Sequence, residues 1–507
     1  MRGSGREPHQ NEVCFVAIHF PFYAYPPRPM LKASPALLLT LLVLAGTGVG
    51  WWIYQQPAPP PTMKDGAEPE DLRKQVTLLE GQVEYLQGQV GALQQENAQL
   101  LQKLGTLGMK GAAKMDPAPP LANDEPPDFV GMGLEMMKFR KLKALPIPTT
   151  GTSTAEVERV VLQWLRKQQP DDEAPRFALA LTALGWIEKP VDPLPLRAAV
   201  LARQIGGWYD PASGTLLVSD DKPAPGLPAP DRPLAIAFGQ LLREYGHTLF
   251  PEESKQPMTT DERIAREALI AGDAGLTRFL FGIQNPIPQS PNDLPADDPD
   301  HPLNQVPMPA YLRELAMFPF SRGFEFSQAL HSAGDYAQMN NAYSRPPTSC
   351  AEVIDPERFL DATRLPPAPV TLSSTEIEKT QPYWDDRLGR FATFVALRAY
   401  NSDEEAGKAA RGWKGDRLLA YAAPDAARDH AAWQTLWLTG ADAVAFFKGM
   451  RSCLTQRYDT KLSVDTPDLI ALEAQGRQVR LIMNRDGLGV LLIDAATPAF
   501  AESLTRL

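Results

Sequence analysis

Cysteine is scarce: only Cys14, Cys350 and Cys453 occur in 507 residues, and no C-x-x-C spacing is present. A zinc ribbon is therefore excluded. A basic stripe is missing as well. The net charge is −11, with no run of Lys and Arg to set against phosphates, which excludes a nucleic-acid partner. Long apolar runs are absent but for one, at 35–54. Proline, by contrast, is abundant, with 50 residues. Many crowd into 55–70, 109–153 and 284–307, so the first two are expected as linkers, the second around a short helix at 132–142, and the third as a surface loop. The length and a 44% hydrophobic content leave room for two or three domains with a buried core.

Residues 1–34 carry Arg2, Arg6, Arg28 and Lys32 and no folded-domain pattern; Met30-Leu31-Lys32 is expected as an alternative start. The uncharged run 35–54 is rich in Leu and ends on Trp51, Trp52 and Tyr54. Its length spans a bilayer, and the aromatic trio suits the membrane–water interface. Basic residues before it and acidic ones after it predict a cytoplasmic N-terminus. A cleaved signal peptide is the alternative, with Gly46-Thr47-Gly48 as a small-x-small site. The apolar run continues past that site, so an uncleaved transmembrane helix is expected.

After the first linker, 71–108 repeats in heptads. Val76, Val83, Val90, Asn97 and Leu104 occupy the a positions, and Leu72, Leu79, Leu86, Leu93, Leu100 and Leu107 the d positions. Val at a, Leu at d and one Asn in the seam predict a parallel homodimer through 72–107, because a buried Asn is costly unless it meets its twin. Gln75, Gln82, Gln87, Gln89 and Gln94 line the flanks, so charge scarcely selects the partner.

Folding proper is expected from 154. Helical patterns run over 154–168, 173–184 and 193–205, followed by a hairpin at 206–209 and 215–219 and two long helical stretches at 234–250 and 261–277. Helices are expected again at 310–318 and 323–332, around Pro319. From about 366 the texture turns to mixed helix and strand. It includes strands near 413–421 and 432–437, a helix at 440–453, and a closing hairpin at 479–483 and 489–493 turned by Asp486-Gly487. Trp413, Trp433 and Trp437 are expected as core residues. Cys350 and Cys453 both follow the apolar segment and could pair in an oxidising compartment.

The chemistry concentrates in 234–277. Arg243-Glu244-Tyr245-Gly246-His247 has the spacing of the H-E-x-x-H helix, in which two His bind zinc and the Glu activates water. Here the first His is Arg. An isolated acid-x-x-His match is expected by chance in a chain this long, so the surroundings carry the weight. The order Gly206-Gly207-Trp208-Tyr209-Asp210-Pro211, then Glu244 and His247, then Ala268-Leu269-Ile270-Ala271-Gly272-Asp273-Ala274 resembles a bacterial family of gluzincin-type metallopeptidases. That family reads G-F-Y-D-P, H-E-x-x-H and A-L-x-E-G-D-A. The segments 318–330, 341–349 and 353–359, and Gly412-Trp413-Lys414-Gly415-Asp416-Arg417, match it too, so the resemblance covers 154–507.

What the resemblance implies is an α+β fold: a mainly helical zincin-like domain at 154–365 followed by a smaller α+β domain at 366–507, preceded here by the transmembrane helix and the parallel coiled coil. It implies a zinc site at 243, 247 and 271, with Glu244 as catalytic base. The chain departs from the pattern at Arg243 for His, Ala271 for Glu and Asp355 for His. A guanidinium stays protonated and repels zinc, and alanine has no donor. His247 is the surviving metal ligand and Glu244 the surviving base. Re-ligation would need His301, His331, His430 or Glu267. The alternative is an ion pair in place of the metal, from Arg243 to Glu267 or Asp273. For Asp355 a helix cap and turn are expected. Two functions remain open. One is a catalytically silent, membrane-anchored binding or scaffolding module without cofactor. It would sit in the inner membrane of a bacterial envelope, with the bulk of the chain outside the cytoplasm and an envelope protein or peptide as partner. The other is a zinc peptidase with altered ligands.

Overall fold

A computed structural model describes residues 128–507 apart from 224–226, 252–257, 286, 288–289, 295–297, 373–380 and 506–507. The expected anchor at 35–54 and coiled coil at 71–108 lie outside the described residues, among which no helix is long and apolar enough to cross a membrane. The described chain is α+β.

Folding starts earlier than 154. Helix α1 (Phe129–Phe139) opens on Asp128, whose side chain accepts from the Gly131 N–H, and buries Met136 and Met137. Strand β1 (Thr149–Thr152) then lies parallel to β3 (Thr215–Ser219), which pairs antiparallel with β2 (Gly207–Asp210) as the hairpin pattern predicted. The stretch 128–153, expected within a linker, is therefore part of the fold. Against this small sheet stand α2 (Thr154–Lys167) and α4 (Pro193–Ile205), while α3 (Glu173–Ala183) packs on α4 and on the larger C-terminal sheet. Helix α4 shows how local the signals are. Asp192 caps it, Pro193 takes its first turn, and Gly206 leaves it in the left-handed region.

The two site helices are α5 (Arg232–Leu249) and α6 (Thr260–Gln284). Helix α7 (Ala310–Ser344) runs through Pro319, where the sequence predicted a break, and departs from helical geometry only at Gly334 and Asp335. The expected surface loop before it also contributes to the core, since Leu303 and Val306 pack against Ala199 and Val200. Short helices α8 (Cys350–Ile354) and α9 (Pro356–Leu360) follow.

The C-terminal part is a seven-stranded antiparallel sheet, ordered β4-β5-β6-β10-β9-β8-β7. Its strands are β4 (Trp384–Asp386), β5 (Trp413–Tyr421), β6 (His430–Trp437), β7 (Val464–Asp465), β8 (Leu469–Ala474), β9 (Arg477–Met483) and β10 (Gly489–Ala495). Helices α10 (Gly389–Arg398), α11 (Asp403–Arg411) and α12 (Gly440–Tyr458) belong to this part, with α13 (Pro498–Thr505) at its end. Leu418, Trp433 and Leu492 join the main core, while Leu419, Ala432, Leu491 and Ile493 form a second cluster with Ala501 and Leu504 of α13. Burial on both faces explains why β10 is apolar from Val490 to Ile493, with Asp494 the one charged residue along its buried length. Trp413, Trp433 and Trp437 are all core residues. Cys350 and Cys453 are buried free thiols in separate surroundings: Cys350 Sγ lies against the Asp261 carbonyl, Cys453 Sγ against those of Ala396 and Leu397.

Three buried carboxylates join the sheet to the N-terminal end of α6. Asp416 accepts from both indole N–H groups of Trp413 and Trp433 and from the amides of Leu388 and Gly389. Asp261 accepts from the Cys350 amide and the Arg387 guanidinium. Asp386 accepts from the amide and the hydroxyl of Thr260, at 2.9 and 2.6 Å. Burial outweighs those two hydrogen bonds and pushes the Asp386 carboxyl up to about 7. Its unfolded value is near 3.9, so the folded chain binds the proton more tightly. Its contribution to stability is fully present below about pH 4 and is lost as pH rises toward 7, on the order of 3 kcal/mol. Asp386→Asn should abolish that component. Denaturant midpoints of the two proteins measured from pH 4 to 7.5 should diverge; parallel curves would show that Asp386 does not titrate in this window.

Candidate functional site

Helix α5 is buried on every side from Pro233 to Leu242 and leaves the core only in its last turns. Glu244 and His247, the two residues that keep the expected motif, lie on that emerging end and are exposed. Arg243 is half-buried and donates to the Leu145 carbonyl at 3.4 Å; among the described residues it forms no ion pair. Between them Tyr245 turns inward and stacks on Tyr343 of α7, with ring centroids 3.7 Å apart.

On α6 the expected partners of Arg243 are taken by other arginines. Asp273 is fully buried and held by Arg140, equally buried, in a two-pronged pair at 2.8 Å on each oxygen. Tyr343 adds a 2.9 Å hydrogen bond from its hydroxyl and Thr277 one of 3.2 Å, while the Arg140 guanidinium lies 4.6 Å from the Tyr336 ring centroid. Burial opposes the charge on Arg140, but Asp273 outweighs it, so the guanidinium's pKa is raised. Burial and the Asp273 charge push the Tyr343 hydroxyl well up. Glu267 is bound by Arg197 of α4. The expected pair from Arg243 to Glu267 or Asp273 is thus corrected. Both carboxylates are held by two arginines that the sequence did not single out.

Ala271 is buried in the wall of an apolar cleft that Phe238, Leu242, Phe250 and Trp164 share with the Arg197–Glu267 pair. Arg243 and His247 do not line it. The cleft widens between α3, α4, α6 and α7 against Phe177, Leu201 and Leu315. Beside Trp164 and Phe250 it adjoins a hollow of about 420 Å³. Arg263, paired with Glu173, borders both spaces. The charged groups of the cleft are two arginines and two glutamates, with Gln169 and Thr260 beside them, so it is a largely apolar slot with neutral ion pairs along one side.

The other candidate donors are dispersed. His301 Nδ1 accepts from the Leu303 amide, His331 pairs with Asp335, and His430 Nδ1 accepts from the Ala496 amide while its ring stacks on Phe500. Asp355 separates α8 from α9 as the turn expectation required. Its carboxylate takes Arg390 and Arg358 instead of capping α9. Among the described residues no group of three or more His, Cys, Asp and Glu is placed to hold a metal ion.

Sequence reasoning missed Arg140, Arg197 and Tyr343. Arg140 stands in a Lys-rich stretch that resembles any solvated linker, and no local pattern marks it. Arg197 had a faint signal, as a charge on the otherwise apolar first half of α4.

The fold and the site together define an α+β protein with an apolar cleft. Within it, residues 380–505, from β4 through α13, match a family described as a domain of unknown function (DUF8575). No curated protein and no solved structure matches the chain.

Proposed function

We propose that the chain is a membrane-anchored, catalytically silent metallopeptidase-like protein. It serves as a binding or scaffolding module of the bacterial envelope, paired through 72–107 and tethered by 35–54. The observation that carries this reading is the fate of the donors. His247 and Glu244 point to solvent on α5, Ala271 points into an apolar slot, and Glu267 and Asp273 are neutralised by Arg197 and Arg140. Zinc needs three neutral or anionic donors converging on one point. Here one histidine is left, beside a fixed positive charge. The cleft next to Ala271 keeps the concavity and apolar lining of a binding site, which supports a partner-binding role.

Full-length protein extracted in detergent from the membrane fraction is expected to be a dimer by light scattering. It should carry well under one zinc per chain and cleave no peptide. Because Ala271 does not share a wall with 243 and 247, Arg243→His with Ala271→Glu should not restore a tight site. One tightly held zinc with chelator-sensitive hydrolysis that disappears in Glu244→Gln would sink this reading in favour of a re-ligated peptidase.

A further inference from the structure

A second cavity lies away from the α5–α6 site, between the C-terminal end of α3, the start of α7, and helices α10 and α12. It holds about 270 Å³. One wall is aromatic: Trp186 and Tyr311 pack with centroids 4.9 Å apart. Val395, Met450 and Leu454 face them. At one end Arg398 is neutralised by Glu314. The other end is not neutral. Gly185 ends α3 at φ +65°, and a Cβ there would stand 2.4 Å from the Arg457 guanidinium and 2.5 Å from that of Arg428. A bare glycine is what lets two cations approach the same point.

The charges at that end do not balance. Among the described residues Asp494 is the one carboxylate that pairs with these arginines, and it takes both Arg457 and Arg477. Arg477 is used up further by the carbonyls of Arg428, Asp429 and Asp494. Arg428 makes no ion pair among the described residues; its guanidinium donates to the Tyr458 hydroxyl at 3.2 Å. The carboxylate of neighbouring Asp429 is turned to the Ala423 amide. Three guanidiniums against one carboxylate, plus the roughly half-unit negative end of α3, leave more than one positive charge uncompensated beside an apolar, aromatic-walled space. Such a pairing of charge and lining suits a ligand with one anionic end and a flat apolar body.

We propose that this cavity binds a small organic monoanion, an apolar or aromatic carboxylate whose charged end meets Arg428 and Arg457 and whose body lies against Trp186 and Tyr311. The inference is independent of whether the α5–α6 site is silent. The probe is 2-naphthoate, followed by fluorescence anisotropy on the detergent-solubilised full chain, with neutral 2-naphthamide as its uncharged counterpart. Saturable one-to-one binding of the acid is expected, with the amide about tenfold weaker, as loss of a charge-assisted hydrogen bond implies. Arg428→Gln should weaken the acid by a similar factor at a nearly unchanged thermal midpoint, since the Tyr458 hydroxyl that it touches keeps its bond to Asp494. Ala399→Phe, from an exposed position in the cavity wall, should abolish binding by filling the space. Equal affinity for acid and amide, an unaltered affinity in Arg428→Gln, or no saturable binding up to about 1 mM would each overturn the proposal.

Discussion

Replacing Asp273 with alanine is expected to cost about 3–5 kcal/mol of stability, because it strands a fully buried guanidinium. Arg140 and Asp273 are both at 0% exposure. No water can replace the lost carboxylate, and the Tyr343 hydroxyl loses its acceptor in the same step. The intact pair is a different matter. One nitrogen of Arg140 is buried without a hydrogen-bond partner, so the desolvation cost is only partly recovered. Arg140→Met combined with Asp273→Leu should therefore return to within about 1 kcal/mol of the parent, or exceed it. Urea unfolding of the parent, both single variants and the double variant gives the coupling directly. A cost below about 1 kcal/mol for Asp273→Ala would mean that the two residues are not buried together in solution.

Alanine at Gly323 is expected to destabilise by about 2–3 kcal/mol, against the usual sign for a glycine inside a helix. Helix propensity alone favours alanine by about 1 kcal/mol. The crossing of α6 and α7 opposes it: a Cβ on Gly323 would sit 2.2 Å from the Ala268 carbonyl oxygen, and one on Gly272 would sit 1.9 Å from that of Gly323. Both obstacles are backbone, so relief requires the helices to separate, and overpacking of this kind typically costs 1–3 kcal/mol or more. Gly407 in α11 is the control. A Cβ there meets nothing within 4 Å, so Gly407→Ala should stabilise by up to about 1 kcal/mol. Thermal midpoints moving in the same direction for both variants would refute the close crossing. The crossing also gives Gly272 of the Ala-Gly-Asp-Ala run a role in helix packing that needs no metal.

Most of the element boundaries were legible because their causes are local. A capping Asp192 with Pro193 and a left-handed Gly206 delimit α4, Thr439 and Asp442 form a reciprocal cap on α12, and Gly487 turns the last hairpin. The hidden parts had no such cause within a few residues. Residues 128–153 look like a linker because they follow a proline-rich stretch and end on Pro146 and Pro148, and only the burial of Met136, Met137, Arg140 and Ile147 and the pairing of β1 with β3 show otherwise. Pro319 looked like a helix end because proline removes one donor locally; packing of α7 along α6 carries the helix through it.

The sequence by itself determined the α+β class, the two site helices and the hairpins, since these follow from periodicity, caps and residue chemistry. Tertiary structure decided which charges meet. Arg243, Arg140 and Arg197 are equal candidates for Asp273 and Glu267 on composition. The choice falls to Arg140, 133 residues away in the chain from Asp273, and to Arg197. The reason is positional. Arg243 and His247 lie on the end of α5 that leaves the core, while α6 presents Glu267, Ala271 and Asp273 to α1, α4 and α7, and an ion pair forms only between side chains that burial brings to one place.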